Sequence, residues 1–318
     1  MPTYVLRRIV ALVPTFLLAT MIVFAVVRLI PGDVVDLMVS QNDIGSSSKT
    51  KEQLIEALGL NVPMPLQYFR WISSIVLHLD LGRSLWTNET VASMIWERLP
   101  TTLYLGVLSI IFALLIAIPV GVLSAVRQDS AADYIGRSIA ILALSVPAFW
   151  VGTMVVVLPA VWWDVGPTTD YVPFFSNPLL SLRQMALPAL VLGIALSGIT
   201  MRMMRTMVLE VMRQDYIRTA WSKGLDESTI IMRHVLKNAM LPVITVIGLQ
   251  VPLVLGGAVV VEQIFVISGM GQLLLDAVSK RDYPVISGIF LVVGSGVLLI
   301  NLIVDLSYGL LDPKIRQG

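Results

Sequence analysis

Six stretches of the 318-residue chain run for 18 residues or more without Asp, Glu, Lys or Arg. About 20 helical residues cross the roughly 30 Å hydrocarbon core of a bilayer, and only helices or closed barrels satisfy their backbone there. The alternating pattern of a membrane barrel is absent. The sequence therefore predicts an all-α polytopic membrane protein with six transmembrane helices: Ile9–Val27, Leu99–Val126, Ser138–Trp163, Gln184–Met201, Asn238–Val261 and Tyr283–Val304.

The composition supports this prediction and excludes several other classes. Hydrophobic residues make up 56% and charged residues 14% of the chain, against about 25% charged residues in soluble domains. A cytosolic enzyme, a disordered chain and a nucleic-acid binder are excluded. The net charge of +1 shows no bias towards polyanions. The absence of cysteine removes disulfides, thiolate catalysis and cysteine metal sites.

Six spans place both termini on one side of the membrane. A cytoplasmic N-terminus puts 13 of the 22 Lys and Arg residues inside, as the positive-inside rule requires, so the predicted topology is N-in and C-in. Arg7 and Arg8 precede the first span as in a secretory signal. The apolar run is long, however, and no small-x-small cleavage pattern follows it, which indicates a retained span.

The predicted organisation has three parts. Residues 1–30 form the N-terminus and first span, 31–98 a long extracytoplasmic segment, and 99–318 a core of five membrane helices that includes the inner segment 202–241. In the outer segment, Lys51–Leu58 is predicted as a short helix ended by Gly59. Pro63–Leu79 is amphipathic, and two interpretations remain open: interfacial aromatic residues at the membrane surface, or a docking surface for an external partner.

The inner segment between spans four and five, within 202–241, is the other long connection. Arg202–Lys237 carries seven Lys or Arg residues. Val208–Trp221 has helical spacing, Gly224 interrupts it, and a second helix is predicted from Asp226, a good N-cap residue. Either this helix pair lies on the membrane face and holds the adjacent spans together, or it docks a soluble protein that pushes on span five.

The sequence offers no set of residues for catalysis. His78 and His234 are 156 positions apart and no cysteine is present, so no zinc ligand set can be assembled. A nucleophile elbow is absent. No Lys follows a Gly, which excludes a phosphate-binding G-x-x-x-x-G-K-[ST] loop. The chain is therefore expected to carry no cofactor, and any ATP must be bound by another subunit.

Four polar residues in or beside the spans are candidates for a transport pathway. Asn301 and Asp305 lie four residues apart on span six, where charge is costly and often functional; an interfacial Asp is the alternative. Glu262 ends span five on the predicted outer face. Gln250 lies deeper in span five, and hydrogen bonding between helices is its default role.

The inner segment resembles the EAA coupling motif of binding-protein-dependent ABC importer permeases. Arg218 through Leu225, then His234, Asn238 and Leu241-Pro242, is similar to the dipeptide, oligopeptide and nickel branch, whose motif reads R-T-A-x-x-K-G-L…H-x-L-x-N…L-P. Other segments agree along essentially the whole chain: Arg28–Asp33, Asp80–Ser84, Glu97–Leu103, Ser145–Trp150 and Leu311–Pro313. The start R-L-x-P-G-D and the long outer segment resemble the first permease of the pair encoded by such operons.

The sequence departs from the general motif in three places. Arg218 stands where that motif has Glu, and Gly224 to Pro242 is five residues longer than the generic spacing; both are normal in the peptide branch. Trp221-Ser222 replaces a small or basic pair, which puts the local fit to the ATPase in doubt.

The resemblance implies a mechanism and a set of partners. An external binding protein would deliver short peptides to a heterodimer of this chain and a second permease, in the bacterial cytoplasmic membrane. Two ATPase subunits would bind ATP and Mg inside, and no nucleic acid is involved. Replacement of Gly224 by Asp is expected to uncouple transport without preventing insertion. The implied ATPase-coupling residues are Arg218, Thr219, Ala220, Trp221, Ser222, Lys223, Gly224, Leu225 and Asp226.

Two other functions remain to be separated from peptide import. Nickel or another small solute would use the same machinery. The absence of a preformed metal site does not exclude nickel, since a permease passes its cargo without binding it tightly. A stand-alone channel or an intramembrane enzyme would purify alone and remain active, whereas an importer permease would bring its partner subunits.

Overall fold

The computed structural model describes residues 2–29, 55, 61–166 and 171–311. Within these residues the chain is almost entirely helical, with one isolated β-bridge between Arg83 and Thr90. The predicted helix Lys51–Leu58 apart from Ile55, most of the segment Arg28–Asp33, and Asp312-Pro313 lie outside the described residues. The helices are α1 (Pro2–Arg28), α2 (Met64–His78), α3 (Val91–Val126), α4 (Ala131–Ser145), α5 (Ala148–Trp163), α6 (Pro178–Met212), α7 (Asp215–Ser222), α8 (Glu227–Phe265), α9 (Met270–Ser279) and α10 (Tyr283–Leu311).

Five of these helices are long and apolar enough to cross a membrane, and a sixth crossing is made if α4 and α5 together form one span. The five contain the predicted spans one, two, four, five and six. The all-α polytopic fold is thus confirmed, and the short helix α7 lies between α6 and α8. The predicted amphipathic segment Pro63–Leu79 is also a helix, α2.

The third predicted span is broken. Ser138–Trp163 was expected as one helix, but α4 and α5 meet at an angle of 88°. Pro147 has no amide hydrogen and disfavours helical geometry at the residue before it. Val146 is accordingly extended, with φ −87° and ψ 122°, and Pro147 caps the start of α5.

The predicted inner helix Val208–Trp221 is also divided. α6 continues to Met212, Gln214 is extended with φ −74° and ψ 148°, and α7 starts at Asp215. The extended residue ends the hydrogen-bond ladder of α6 and allows α7 to take its own direction. The second predicted helix does begin at Asp226, but it continues through Pro242 as the long span α8.

The chain divides into two compact units. The first unit comprises Thr101–Gly271 and the chain from Leu299 onward. Its packing depends on close approach of helices: a Cβ on Gly193 of α6 would lie 2.8 Å from the carbonyl oxygen of Ser109 on α3. Inside a bilayer the hydrophobic effect does not drive helices together, so they associate through close van der Waals packing. Small residues such as glycine allow this packing. One core cluster includes Leu105, Met185, Leu192, Val254 and Phe265.

The second unit comprises the described residues of Pro2–Pro100 together with Gln272–Leu298. α2 is held to α1 by a 3.0 Å hydrogen bond between the hydroxyls of Thr20 and Tyr68. Asp282 accepts hydrogen bonds from the Ser84 hydroxyl and from the Leu85 amide, the latter at 3.2 Å. Burial raises the pKa of the Asp282 carboxyl, and the Ser84 hydrogen bond partly offsets this effect.

Candidate coupling site

The buried face of α7 fixes this short helix to the first unit. Ile217 and Ala220 are 1% and 7% exposed. They belong to one core cluster with Met204 and Val208 of α6 and with Ile230, Val235, Ala239 and Val243 of α8. A helix of eight residues is too short to be stable alone, so this packing holds α7 in place against both spans.

The opposite face of α7 and the turn that follows are exposed. Of the implied coupling residues only Ala220 is buried, while Trp221 is 45% and Leu225 37% exposed. Arg218 pairs with Asp215 at 3.4 Å, and both side chains are almost fully exposed. Such a surface pair contributes little stability, so both groups can be recruited by a partner protein.

Several of these side chains also bond within the segment. The hydroxyl of Thr219 donates to the backbone carbonyl of Asp215 at 3.0 Å, and that of Ser222 to the carbonyl of Arg218 at 3.0 Å. The exposed face of α7 therefore presents two aromatic rings, those of Tyr216 and Trp221, among charged side chains, while the hydroxyls of Thr219 and Ser222 bond to the helix backbone.

Gly224 and Asp226 form the turn between α7 and α8. Gly224 has φ +79°, a left-handed conformation that glycine adopts without strain, and its amide donates to the Trp221 carbonyl at 2.9 Å. Asp226 accepts the Thr229 amide at 2.9 Å as the N-cap of α8. Hydrogen bonds from the hydroxyl and amide of Thr229 lower the pKa of Asp226, so its carboxylate stays ionised at the start of the helix.

A second contact between α7 and α8 is made by Tyr216 and Asn238. The Asn238 side-chain amide donates to the Tyr216 hydroxyl at 3.0 Å and to the His234 carbonyl at 2.8 Å. The sequence motif contains Asn238, and Tyr216 lies two residues before its start, but this spacing alone does not predict the bond. It ties α7 to α8 more than three helical turns after the Asp226 cap.

A buried ion pair near the predicted inner ends of three helices is not indicated by the sequence. Asp133 of α4 has no exposed side-chain surface, and Arg205 of α6 contacts it through Nε and Nη2, both at 2.8 Å. Ser124 of α3 donates to the same carboxylate. These three residues form the Asp133 cluster. Asp133 and Arg205 are more than 70 positions apart, and no motif in the sequence connects them. The pair is therefore seen only in the folded structure.

The structure brings the pathway candidates into different surroundings. Gln250 donates to Thr200 Oγ1 at 3.0 Å, which confirms the expected hydrogen bond between helices. Glu262 is completely buried and accepts hydrogen bonds from Thr102 at 2.6 Å and from the Gly271 amide at 2.7 Å. This carboxylate therefore ties α3 and α9 to α8. Asn301 is half-buried, and the side chain of Asp305 lies outside the described residues. A pathway role for these four residues stays a prediction.

Among the described residues, no three His, Asp or Glu side chains converge as a metal site would require. The acidic groups that are buried, Asp133, Glu262 and Asp282, each accept hydrogen bonds from within the chain.

Long apolar helices with an exposed helix and turn between two spans define a polytopic helical membrane protein. Residues 1–106 match the family model described as the N-terminal part of a binding-protein-dependent transport system membrane component, and residues 117–317 match the inner membrane component of such systems. The chain belongs to this family of binding-protein-dependent transport system inner membrane components. It is thus a multi-pass protein of the bacterial inner membrane.

Curated relatives match along their whole length. The chain is 41% identical to the dipeptide transport system permease protein DppB of Escherichia coli (strain K12), covering 99% of this chain and 98% of the relative. It is 39% identical to a putative peptide transport system permease protein of Brucella abortus (strain 2308), covering 99% of both chains.

Solved structures share the fold at low sequence identity. A chain of the MetNI methionine ABC transporter, solved in inward-facing conformations, superimposes with a TM-score of 0.55 and 17% identity. The match covers 67% of this chain and 94% of that one.

Proposed function

We propose that the chain is the permease subunit of an ATP-driven importer of di- and oligopeptides. An external binding protein delivers the peptide, and alternating access moves it across the cytoplasmic membrane. The names of the full-length relatives support the peptide cargo. The chain pairs with a second, homologous permease, and two ATPase subunits on the inner face bind ATP and Mg.

The observation that carries the coupling role is the two-sided construction of α7. Ile217 and Ala220 are buried against α6 and α8, while Trp221 and its neighbours are exposed. A partner that moves the exposed face therefore also moves the start of α8. The Tyr216–Asn238 hydrogen bond is a second contact through which a displacement of α7 reaches α8.

The substitution Trp221→Glu tests this role. Large aromatic residues at the centre of a protein interface often contribute 2 kcal/mol or more, so we expect loss of the co-purifying ATPases and an uptake rate reduced at least about tenfold. Arg127→Glu is the control, because Arg127 is also exposed and predicted on the inner side but lies in the turn between α3 and α4. Normal uptake and normal ATPase binding by Trp221→Glu would contradict the coupling assignment.

Cargo is tested separately, by uptake of labelled dipeptide and of nickel in a strain that lacks the gene. Peptide uptake restored by the intact gene supports the proposal. Restoration of nickel uptake alone would replace peptide with nickel as the cargo, and activity of the chain purified without partners would point to a channel or an enzyme.

A further inference from the structure

A cavity of about 250 Å³ is formed by residues of the second unit. It is bounded by the end of α1, by α2 and the loop that follows it, and by the start of α10. Arg28, Arg70, Trp71, Asp80 and Tyr283 are among its lining residues. Nothing in the proposed transport mechanism uses these residues together.

Two guanidinium groups reach this cavity. Arg28 lies between the rings of Phe24 and Tyr283, at 4.9 and 5.2 Å from their centroids, and its Nε donates to Gln67 at 3.1 Å. Arg70 is exposed on α2. Among the ion pairs of the described residues, none joins a carboxylate to either group. Their charge is therefore available to an anion in the cavity.

The third donor is the indole of Trp71. Its Nε1 is buried and has no hydrogen-bond partner among the described residues. A buried N–H without an acceptor is costly, and a small rotation of the ring towards the adjoining cavity would let an anionic oxygen satisfy it. The one carboxylate in the lining, Asp80, already accepts the Gly82 amide at 2.9 Å. The lining keeps a net positive charge.

The exposed surface of α2 places the cavity at the depth of lipid headgroups. Phe69, Val76 and Leu77 are 66%, 64% and 73% exposed, although α2 packs its other face on the end of the span α1. A helix that exposes apolar side chains beside the end of a span lies in the interfacial region of the bilayer. Phosphate groups are the anions present there.

We propose that this cavity binds the phosphate of a phospholipid headgroup, held by Arg28, Arg70 and the Trp71 indole. Arginine matches the geometry of phosphate oxygens and forms charge-assisted hydrogen bonds with them. The acyl chains lie along the exposed apolar face of α2. The bound lipid thereby fixes α2 against α1 at the membrane surface.

Native mass spectrometry of the purified transporter complex measures this binding. The probes are phosphatidylglycerol and a diacylglycerol with the same acyl chains and no phosphate. We expect Arg28→Gln and Arg70→Gln each to weaken phosphatidylglycerol binding about tenfold, the effect of losing a charged hydrogen bond. Trp71→Phe, which keeps a ring and removes the donor, weakens it severalfold. Diacylglycerol binding does not change in any variant.

The exposed position of Arg70 makes Arg70→Gln the variant that tests binding without disturbing packing. Arg127→Gln, which removes one exposed positive charge from the first unit, is the matched control and keeps normal phosphatidylglycerol binding. Equal lipid retention by wild type and Arg70→Gln would overturn the proposal. So would displacement of the lipid by a dipeptide that the arginine variants no longer bind, since that result makes the cavity a substrate site.

Discussion

Gly224 shows how one residue can set the joint between the exposed helix α7 and the span α8. Its backbone is left-handed, with φ +79°, and an added Cβ would meet no atom within 4 Å. Any cost of substitution therefore comes from the backbone conformation alone. Because no side chain must move, the position separates the effect of the turn from that of packing.

Gly224→Val is expected to lower the uptake rate more than fivefold while leaving the amount of protein in the membrane unchanged. A β-branched residue in this conformation costs about 1–2 kcal/mol, which favours a rearranged turn. Gly224→Asn is the control, because Asn adopts left-handed geometry readily, and it keeps most of the activity. Gly224→Asp adds charge beside Asp226 as well as a Cβ and is the less clean test. Equal uptake by the Val and Asn variants would show that the turn geometry is unimportant.

At the scale of single residues the sequence predicted conformation better than contact. The left-handed glycine and the Asp226 cap follow from local chain chemistry and are present in the structure. The burial of Glu262 and the pairing of Asp133 with Arg205 depend on which helices pack together. The local sequence does not indicate these helix contacts.

At the scale of helices, hydropathy predicted the spans but not their breaks. Pro147 divides the third span, whereas α5 contains Pro159, α6 contains Pro188 and α8 contains Pro252 without interruption. Neighbouring helices can satisfy the backbone groups that a proline frees inside a membrane. Whether a proline breaks a helix is therefore decided by tertiary packing. The division of α6 from α7 at Gln214 is similar, because Gln itself favours helix.

The Asp133 cluster is expected to hold α3, α4 and α6 together. Asp133→Asn keeps the shape of the side chain but leaves Arg205 without its charge partner, which costs about 3 kcal/mol for a buried pair. We expect a lower Tm of the purified protein in detergent. The double variant Asp133→Asn, Arg205→Gln removes both charges and recovers most of this loss. A double variant no more stable than Asp133→Asn would show that the pair is not the source of the effect.

At the scale of the whole molecule, sidedness is the feature that remains a prediction. Helix lengths are the same for either orientation, and only the distribution of Lys and Arg favours an inner N-terminus. The absence of cysteine allows a direct measurement, because a single introduced thiol is the only one in the chain. Phe175 is 96% and Met232 62% exposed, on segments predicted to lie on opposite sides.

A membrane-impermeant maleimide should label Phe175→Cys in intact spheroplasts, because that residue is predicted outside. Met232→Cys should be labelled only after the membrane is permeabilised. Wild type is the control for background and should stay unlabelled under both conditions. The reverse pattern would invert the topology and place the coupling surface outside the cell.

The π-helical turn Ile230–Val235 inside α8 also has a consequence for the whole molecule. A π turn holds one residue more than an α turn, and each α-helical residue advances the chain by about 100° around the axis and 1.5 Å along it. Deleting one residue there would leave an ordinary α turn, so the chain after Val235 would keep nearly the same orientation relative to α7. Deleting one residue from a regular α-helical turn of α8 would instead rotate everything after it by about 100°. The π turn thus accommodates one extra residue without changing which side of the span faces the neighbouring helices when α7 is displaced.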